Sequence, residues 1–211
     1  VLRQAAFAGV RRFVYAASSS CYGDGGEAPL SEAAALRPQS PYALAKLMGE
    51  ADCIDATKRG LIETVRLRFF NVYGPRQDPR GSYAGVISAF ADAVQHGRPL
   101  TIYGDGEQTR DFVHVSDVAH ALVTAGWQSG VDGQVFNIGT GRRTSLLSLA
   151  AAVGEVSGDD VITVHAPSRA GDVLHSCADV TAAKEVLGSS SRVGLRDGLA
   201  GLLHVGHKQA A

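Results

Sequence analysis

Cysteine, methionine and tryptophan are scarce in this chain of 211 residues, at three, one and one. The cysteines (Cys21, Cys53 and Cys177) are too few and too scattered for a disulfide framework or a cysteine-built zinc site. They read as the thiols of a reducing, cytoplasmic compartment. The seven histidines show no ligand spacing: His114 and His120 lie six apart, and His204 and His207 sit near the tail. A metal hydrolase is excluded, and no metal site is expected. Neither charge sign is in excess, with 20 Lys and Arg against 21 Asp and Glu and a net charge of −1. That excludes the broad basic surface nucleic acid requires. No stretch of about 18 residues is uniformly apolar and free of charge, so no membrane span is expected. A conventional beginning is also lacking. Val1-Leu2-Arg3-Gln4-Ala5-Ala6-Phe7-Ala8 has helix-interior composition, no Ser, Thr, Asp or Asn precedes it as a cap, and no signal or transit pattern is present. The expectation is a truncated chain.

Glycine is abundant, at 25 of 211 or about 12% against a usual ~7%. Many tight turns between short elements follow, as in α/β enzymes. Arg11 to Ala17 is a short apolar run ending in Ser18-Ser19-Ser20, a buried strand with hydroxyls at its C-terminal end. After a polar, Gly-rich loop, Ser40-Pro41 supplies an N-cap and a first-turn proline for a helix to about Lys58. Glu63 to Phe70 is the next strand. The reading continues with a helix over 81–96, a strand over 100–103, an extended piece over 111–115 and a helix over 118–127. A returning strand over 134–139, a helix over 145–156, a strand over 161–164 and a helix over 179–187 complete it. No element is assigned between Gly188 and His204. Alternating strand and helix predict a doubly wound parallel sheet, whose ligands sit off the C-terminal strand ends.

Two groups of residues can do chemistry there. Tyr42 and Lys46, four apart on the Pro41 helix, share one face. An ammonium that close favours a phenolate, and a tyrosine so poised can act as a general base. Ser18 at the strand end can hydrogen-bond a substrate alcohol. Either feature alone is common; the order strand, serines, Pro-started helix and Tyr-x-x-x-Lys is specific.

These residues resemble the catalytic half of the extended short-chain dehydrogenase/reductase family, in particular its NAD-dependent nucleotide-sugar epimerases and dehydratases. The likeness runs on through Arg68-Phe69-Phe70-Asn71-Val72-Tyr73-Gly74-Pro75, Tyr103-Gly104-Asp105-Gly106 and Thr109-Arg110-Asp111-Phe112-Val113. Asn137-Ile138-Gly139-Thr140-Gly141 and Arg169-Ala170-Gly171-Asp172 complete the series. The resemblance implies a catalytic triad of Ser18, Tyr42 and Lys46. Tyr42 and Lys46 would also touch NAD, with Phe69 at the nicotinamide end. It places Asn71, Arg110, Arg169 and Asp172 on the nucleotide diphosphate and ribose, and Ser19, Ser20, Gln77, Gly85, Val86, Tyr103 and Ser176 around the rest of a UDP-sugar. The chemistry agrees, since arginines fork onto phosphate oxygens and a carboxylate accepts from ribose hydroxyls.

Dehydratases of the family carry a carboxylate after the first hydroxyl, because eliminating water needs a proton shuttle; Ser19 and Ser20 stand there instead. The implied reaction is 4-epimerisation by transient oxidation at the sugar's C4. The likeness is strongest to UDP-N-acetylglucosamine 4-epimerases, with the small Ser176 leaving room for an N-acetyl group. UDP-glucose and UDP-galactose are the other substrate pair, and a non-catalytic nucleotide-sugar-binding remnant or a UDP-glucuronate decarboxylase or dehydratase of the family the alternatives. Residues 1–78, with a returning segment near 112–142, would form a partial NAD-binding Rossmann domain, and 79–111 and 143–205 the substrate-binding region. The family's Gly-x-x-Gly-x-x-Gly turn does not occur in the chain. Poor NAD binding, negligible turnover by the chain alone and an uncovered strand edge are therefore expected. The family's homodimer packs the Tyr-x-x-x-Lys helix and its predecessor into a four-helix bundle, and the clipped first helix works against that here.

Overall fold

The computed structural model describes residues 1–26, 28–79, 81, 85–168 and 172–207, without the side chains of 204–207. The short helix α1 (Leu2–Phe7) buries none of its residues. Strand β1 (Arg12–Ser18) leads into a 3₁₀ turn over Ser19–Tyr22. Helix α2 (Pro41–Lys58) starts where expected: Ser40 Oγ accepts from Ala43 N at 3.1 Å, and Pro41, which has no N–H to satisfy, occupies the first turn. Strands β2 (Glu63–Phe69) and β3 (Asn71–Tyr73) follow, then α3 (Val86–Gln95), β4 (Leu100–Tyr103), β5 (Thr109–Arg110) and β6 (Phe112–His114). Next come α4 (Val115–Trp127), β7 (Val135–Ile138), β8 (Thr144–Ser145), α5 (Leu146–Ser157), β9 (Thr163–Ala166), α6 (Thr181–Glu185) and α7 (Leu195–His207).

The main sheet is parallel, in the order β1-β2-β7. Its register aligns Ala16 with Leu67 and Leu67 with Phe136. The central β2 is buried along its length apart from its two ends, whereas β1 is mostly half-buried. Among the described residues β1 pairs with β2 alone, which is the open edge expected from the sequence. A notch brings β1 close to α2: a Cβ on Gly49 would collide with the Tyr15 hydroxyl. Tyr15 Oη in turn donates to the Lys46 carbonyl at 3.3 Å.

Two apolar cores flank a short parallel pair, β3 with β6. One collects Val65, Leu67, Val118, Phe136 and Leu187; the other collects Ile87, Phe90, Leu100, Ile102, Leu149 and Leu199. Successive strand residues point to opposite faces, so neighbouring Phe112 and Val113 of β6 enter different cores.

Three element readings need correction. Helix α3 begins at Val86, not Gly81. Helix α4 starts three residues earlier than expected, because His114 accepts from Ser116 N and serves as the cap. Helix α7 has no counterpart in the sequence reading. Gly198, Gly201 and Gly206 depress its helical propensity, and burial of Leu199 and Leu203 overrides them. Gly198 has its own purpose, since a Cβ there would strike the Tyr73 hydroxyl.

Candidate active site

Parallel strands deliver Ser18 and Phe69 side by side at the C-terminal end of the sheet. Ser18 Oγ accepts from Ser20 N at 3.2 Å and from Ser20 Oγ at 2.9 Å, which fixes the serine turn. Having accepted twice, Ser18 keeps its own proton unspent among the described residues. Tyr42, in the first turn of α2, is 38% exposed. One turn along, Lys46 Nζ donates to the Ala16 carbonyl at 2.9 Å. The ammonium lies 5.7 Å from the Tyr42 ring centroid and 5.6 Å from that of Tyr15, within the range at which a cation is held by an aromatic face. The Ser18 turn with Phe69 and the Tyr42–Lys46 turn are thus both built at the strand ends.

A second cluster surrounds Arg110. Its Nη1 donates to the carbonyls of Thr109, at 2.9 Å, and Leu174, at 3.3 Å. The guanidinium's Nε and Nη2 have no partner among the described residues. Burial holds Arg110 below the ordinary guanidinium pKa, and the carboxylates of Asp172 and Asp24 act in the opposite direction. Asp172 and Asp24 are therefore close enough to act on Arg110 electrostatically. Ser176 is buried and donates its N–H to Thr109 O at 3.2 Å. Gln77 and Gly85 also come together, with a Cβ on Gly85 3.4 Å from Gln77 Nε2. Asn71 donates its N–H to Asp111 O at 2.9 Å, and Val86 opens α3. Tyr103 ends β4 and its carbonyl accepts from Gln108 Nε2 at 2.6 Å. Ser19 and Ser20 are half-buried in the 3₁₀ turn. Arg169 lies outside the described residues.

Sequence reasoning missed the residues that join these clusters. The loop after the serine turn is stitched to the Asp172 segment by Gly25 N to His175 O and His175 N to Asp24 Oδ1, both 3.2 Å. Arg143 adds Nη1 to Thr109 Oγ1 at 3.3 Å and Nη2 to Gly26 O at 3.2 Å. Beneath the serine turn lies a buried polar network. Arg68 meets Glu50 twice, through Nε at 2.8 Å and Nη2 at 2.7 Å. Its Nη1 reaches Tyr22 Oη at 2.9 Å, and Tyr22 donates to Asn137 Oδ1 at 2.7 Å. Burial pushes the Tyr22 phenol upward in pKa, with Arg68 opposing. Glu50 sits four residues after Lys46 on α2, the one sequence signal that could have flagged it.

A parallel sheet carrying hydroxyl, phenol and ammonium at its strand ends, with an arginine and a carboxylate clustered elsewhere in the chain, is the arrangement of an α/β nucleotide-dependent fold. Residues 1–139 match the NAD dependent epimerase/dehydratase family, and the chain belongs to it. It is 43% identical over 198 residues to the UDP-glucose 4-epimerase of Mycolicibacterium smegmatis, covering 93% of this chain and 62% of that protein. Among solved structures, MoeE5 in complex with UDP-glucose and NAD superposes with a TM-score of 0.90 at 39% identity, over 100% of this chain and 70% of that one. A UDP-N-acetylglucosamine 4-epimerase from Methanobrevibacter ruminantium, in complex with UDP-N-acetylmuramic acid, gives 0.91 at 29% identity, over 97% and 66%. The chain spans about three fifths of the length of the curated relatives it matches. No helix among the described residues is long and apolar enough to cross a membrane.

Proposed function

We propose that the chain carries the catalytic and sugar-nucleotide-binding residues of an NAD-dependent UDP-sugar 4-epimerase. The observation that carries this reading is the Lys46 ammonium held by the Ala16 carbonyl against the Tyr42 ring, beside a Ser18 hydroxyl whose own proton is unspent. The residues fit the nicotinamide–ribose end of NAD: a phenol and an ammonium one turn apart, half-buried serines and the half-buried Phe69 at neighbouring strand ends. Tyr42, Lys46 and Phe69 would hold that end, and NAD supplies a hydride acceptor and donor at the sugar's C4. Tyr42 takes the proton of the 4-hydroxyl and later returns it, as general base and then acid. Ser18 donates to the same oxygen, and Lys46 stabilises the charge on Tyr42. Arg110 directs its unspent N–H groups at the diphosphate, and Asp172, like Asn71 and Arg169, serves the nucleotide.

Serines at positions 19 and 20 favour epimerisation over elimination or decarboxylation, because no carboxylate stands there to move a second proton. The small, buried Ser176 favours an N-acetylated sugar. In this reading, residues 1–78 and 112–142 hold the cofactor side, and 79–111 and 143–205 the substrate side. Three buried free thiols suit a cytoplasmic setting. Leu44 and Met48, 51% and 62% exposed on α2, suit a homodimer through that helix.

A panel assay over UDP-glucose, UDP-galactose and their N-acetyl forms, run on a protein that carries this chain together with a glycine-rich NAD-binding segment and repeated with Tyr42→Phe, tests the reaction. Interconversion should fall by about 10²–10⁴-fold; an undiminished rate overturns the reading. Ser176→Tyr should cost activity on the acetylated pair selectively, and interconversion of UDP-glucose and UDP-galactose alone by the unaltered enzyme overturns the sugar assignment. With no Gly-x-x-Gly-x-x-Gly turn in the sequence, the 211-residue chain should bind NAD weakly, and tight binding by calorimetry would contradict that.

A further inference from the structure

A cavity of ≈ 910 Å³ lies away from the strand ends: none of Ser18, Tyr42, Lys46, Phe69 or Arg110 lines it. It opens between the Thr140–Arg142 loop, α6 and the segment 190–195 that enters α7. Its size suits a small organic ligand. The distribution of charge around it is one-sided. One carboxylate, Asp179, belongs to its lining, and two more, Asp111 and Asp117, lie outside the lining and anchor its loops. Asp111 accepts from Thr140 N, Thr140 Oγ1, Gly141 N and Ala178 N at 2.6–3.1 Å. Asp117 accepts from Ser191 Oγ, Arg192 N and Val193 N at 3.1–3.2 Å. Asp179 Oδ1 accepts from Thr181 N and Oγ1 at 3.0 and 2.7 Å.

Those bonds fix the loops and leave three cations, Arg142, Lys184 and Arg192, along the lining. Among the described residues Arg142 and Lys184 form no ion pair within 4 Å, and the Asp179 carboxylate is the one anionic neighbour in the lining that acts on Lys184. Arg192 Nη2 has a histidine for a neighbour, His120 Nε2 at 3.0 Å. The same cavity has an apolar side, with Phe112, Val180 and Leu195. We infer that this cleft is a second small-molecule site that takes an organic phosphate, with the phosphate on Arg142, Lys184 and Arg192 and the apolar part against Phe112, Val180 and Leu195. Guanidinium and ammonium groups give the charge-assisted hydrogen bonds that phosphate oxygens accept. The site stands independently of the epimerase reading.

Two-dimensional NMR of the 211-residue chain, titrated separately with adenosine monophosphate, inorganic phosphate and adenosine, tests it. The monophosphate should move the Gly141 and Gly194 amides and bind more tightly than either of the other two. The Arg142→Gln/Lys184→Gln double variant should weaken it by at least about tenfold, while Arg110→Gln should leave it unchanged. Both substituted side chains are exposed, and a retained amide spectrum verifies folding. Unmoved Gly141 and Gly194 amides, adenosine binding as tightly as its phosphate, or a double variant without effect would overturn the site. Inorganic phosphate binding as tightly as the nucleotide would overturn the organic ligand.

Discussion

Arg68 and Arg110 lie 42 residues apart and resemble one another in sequence, each in a strand with a phenylalanine two positions on. Their donors are spent differently. Arg68 gives Nε and Nη2 to Glu50 and Nη1 to Tyr22 and to the Glu32 carbonyl, and it is 4% exposed. Arg110 gives only Nη1, to two carbonyls, and keeps its other edge unspent among the described residues. The carboxylates show the same contrast. Asp111 is fully buried and accepts four hydrogen bonds, whereas Asp172 is exposed beside Arg110. A charge satisfied within the fold holds the scaffold, and one left half-satisfied at a strand end is available to a ligand.

Glu50→Gln should give the largest effect on stability. It strips the counter-ion from Arg68 and from Arg66, whose Nη1 is 3.9 Å from the same carboxylate. A loss of about 3–5 kcal/mol in urea unfolding is expected; a near-neutral change would break the contrast between the two arginines. Asp111→Asn should cost less, about 1–3 kcal/mol, since at least one buried N–H among those of Thr140, Gly141 and Ala178 loses its acceptor. Arg110→Gln should move unfolding by less than about 1 kcal/mol yet weaken UDP binding by about tenfold or more, read by calorimetry. The smallest effect belongs to Asp179, whose pKa is held below its ordinary 3.8 by hydrogen bonds from Thr181. A depressed carboxylate contributes stability above its unfolded pKa and loses it as pH falls through the folded one. The Tm difference between the protein and Asp179→Asn should therefore shrink as the pH is taken below about 4.

Much of the main sheet was legible because its signals are local. An apolar run ending in serines, a Ser-Pro cap and a Tyr-x-x-x-Lys turn each occupy a few neighbouring residues. The polar scaffold was not legible, since Arg68 meets a carboxylate 18 residues back, and its Tyr22 bond and the Tyr22–Asn137 bond join segments far apart in sequence. Helix α7 was hidden for a related reason: its glycines argue against helix locally, and what holds it is burial of Leu199 and Leu203 where α7 packs on α3, α5 and β6. Arg110 and Asp172 were readable as candidates from the family motifs, while Arg143, Asp24 and His175, which stitch the loop after the serine turn to the Thr109 and Asp172 segments, carry no motif of their own.

The one-sided pairing of β1 gives the sheet a gradient of opening. Among the described residues, backbone amides on β2 are bonded within a ladder flanked on both sides, and those of β1 have a single neighbouring strand to let go of. In deuterated solvent the label should enter at Arg12–Ser18 well before it reaches Glu63–Phe69, so the strand that presents Ser18 is also the first to fray.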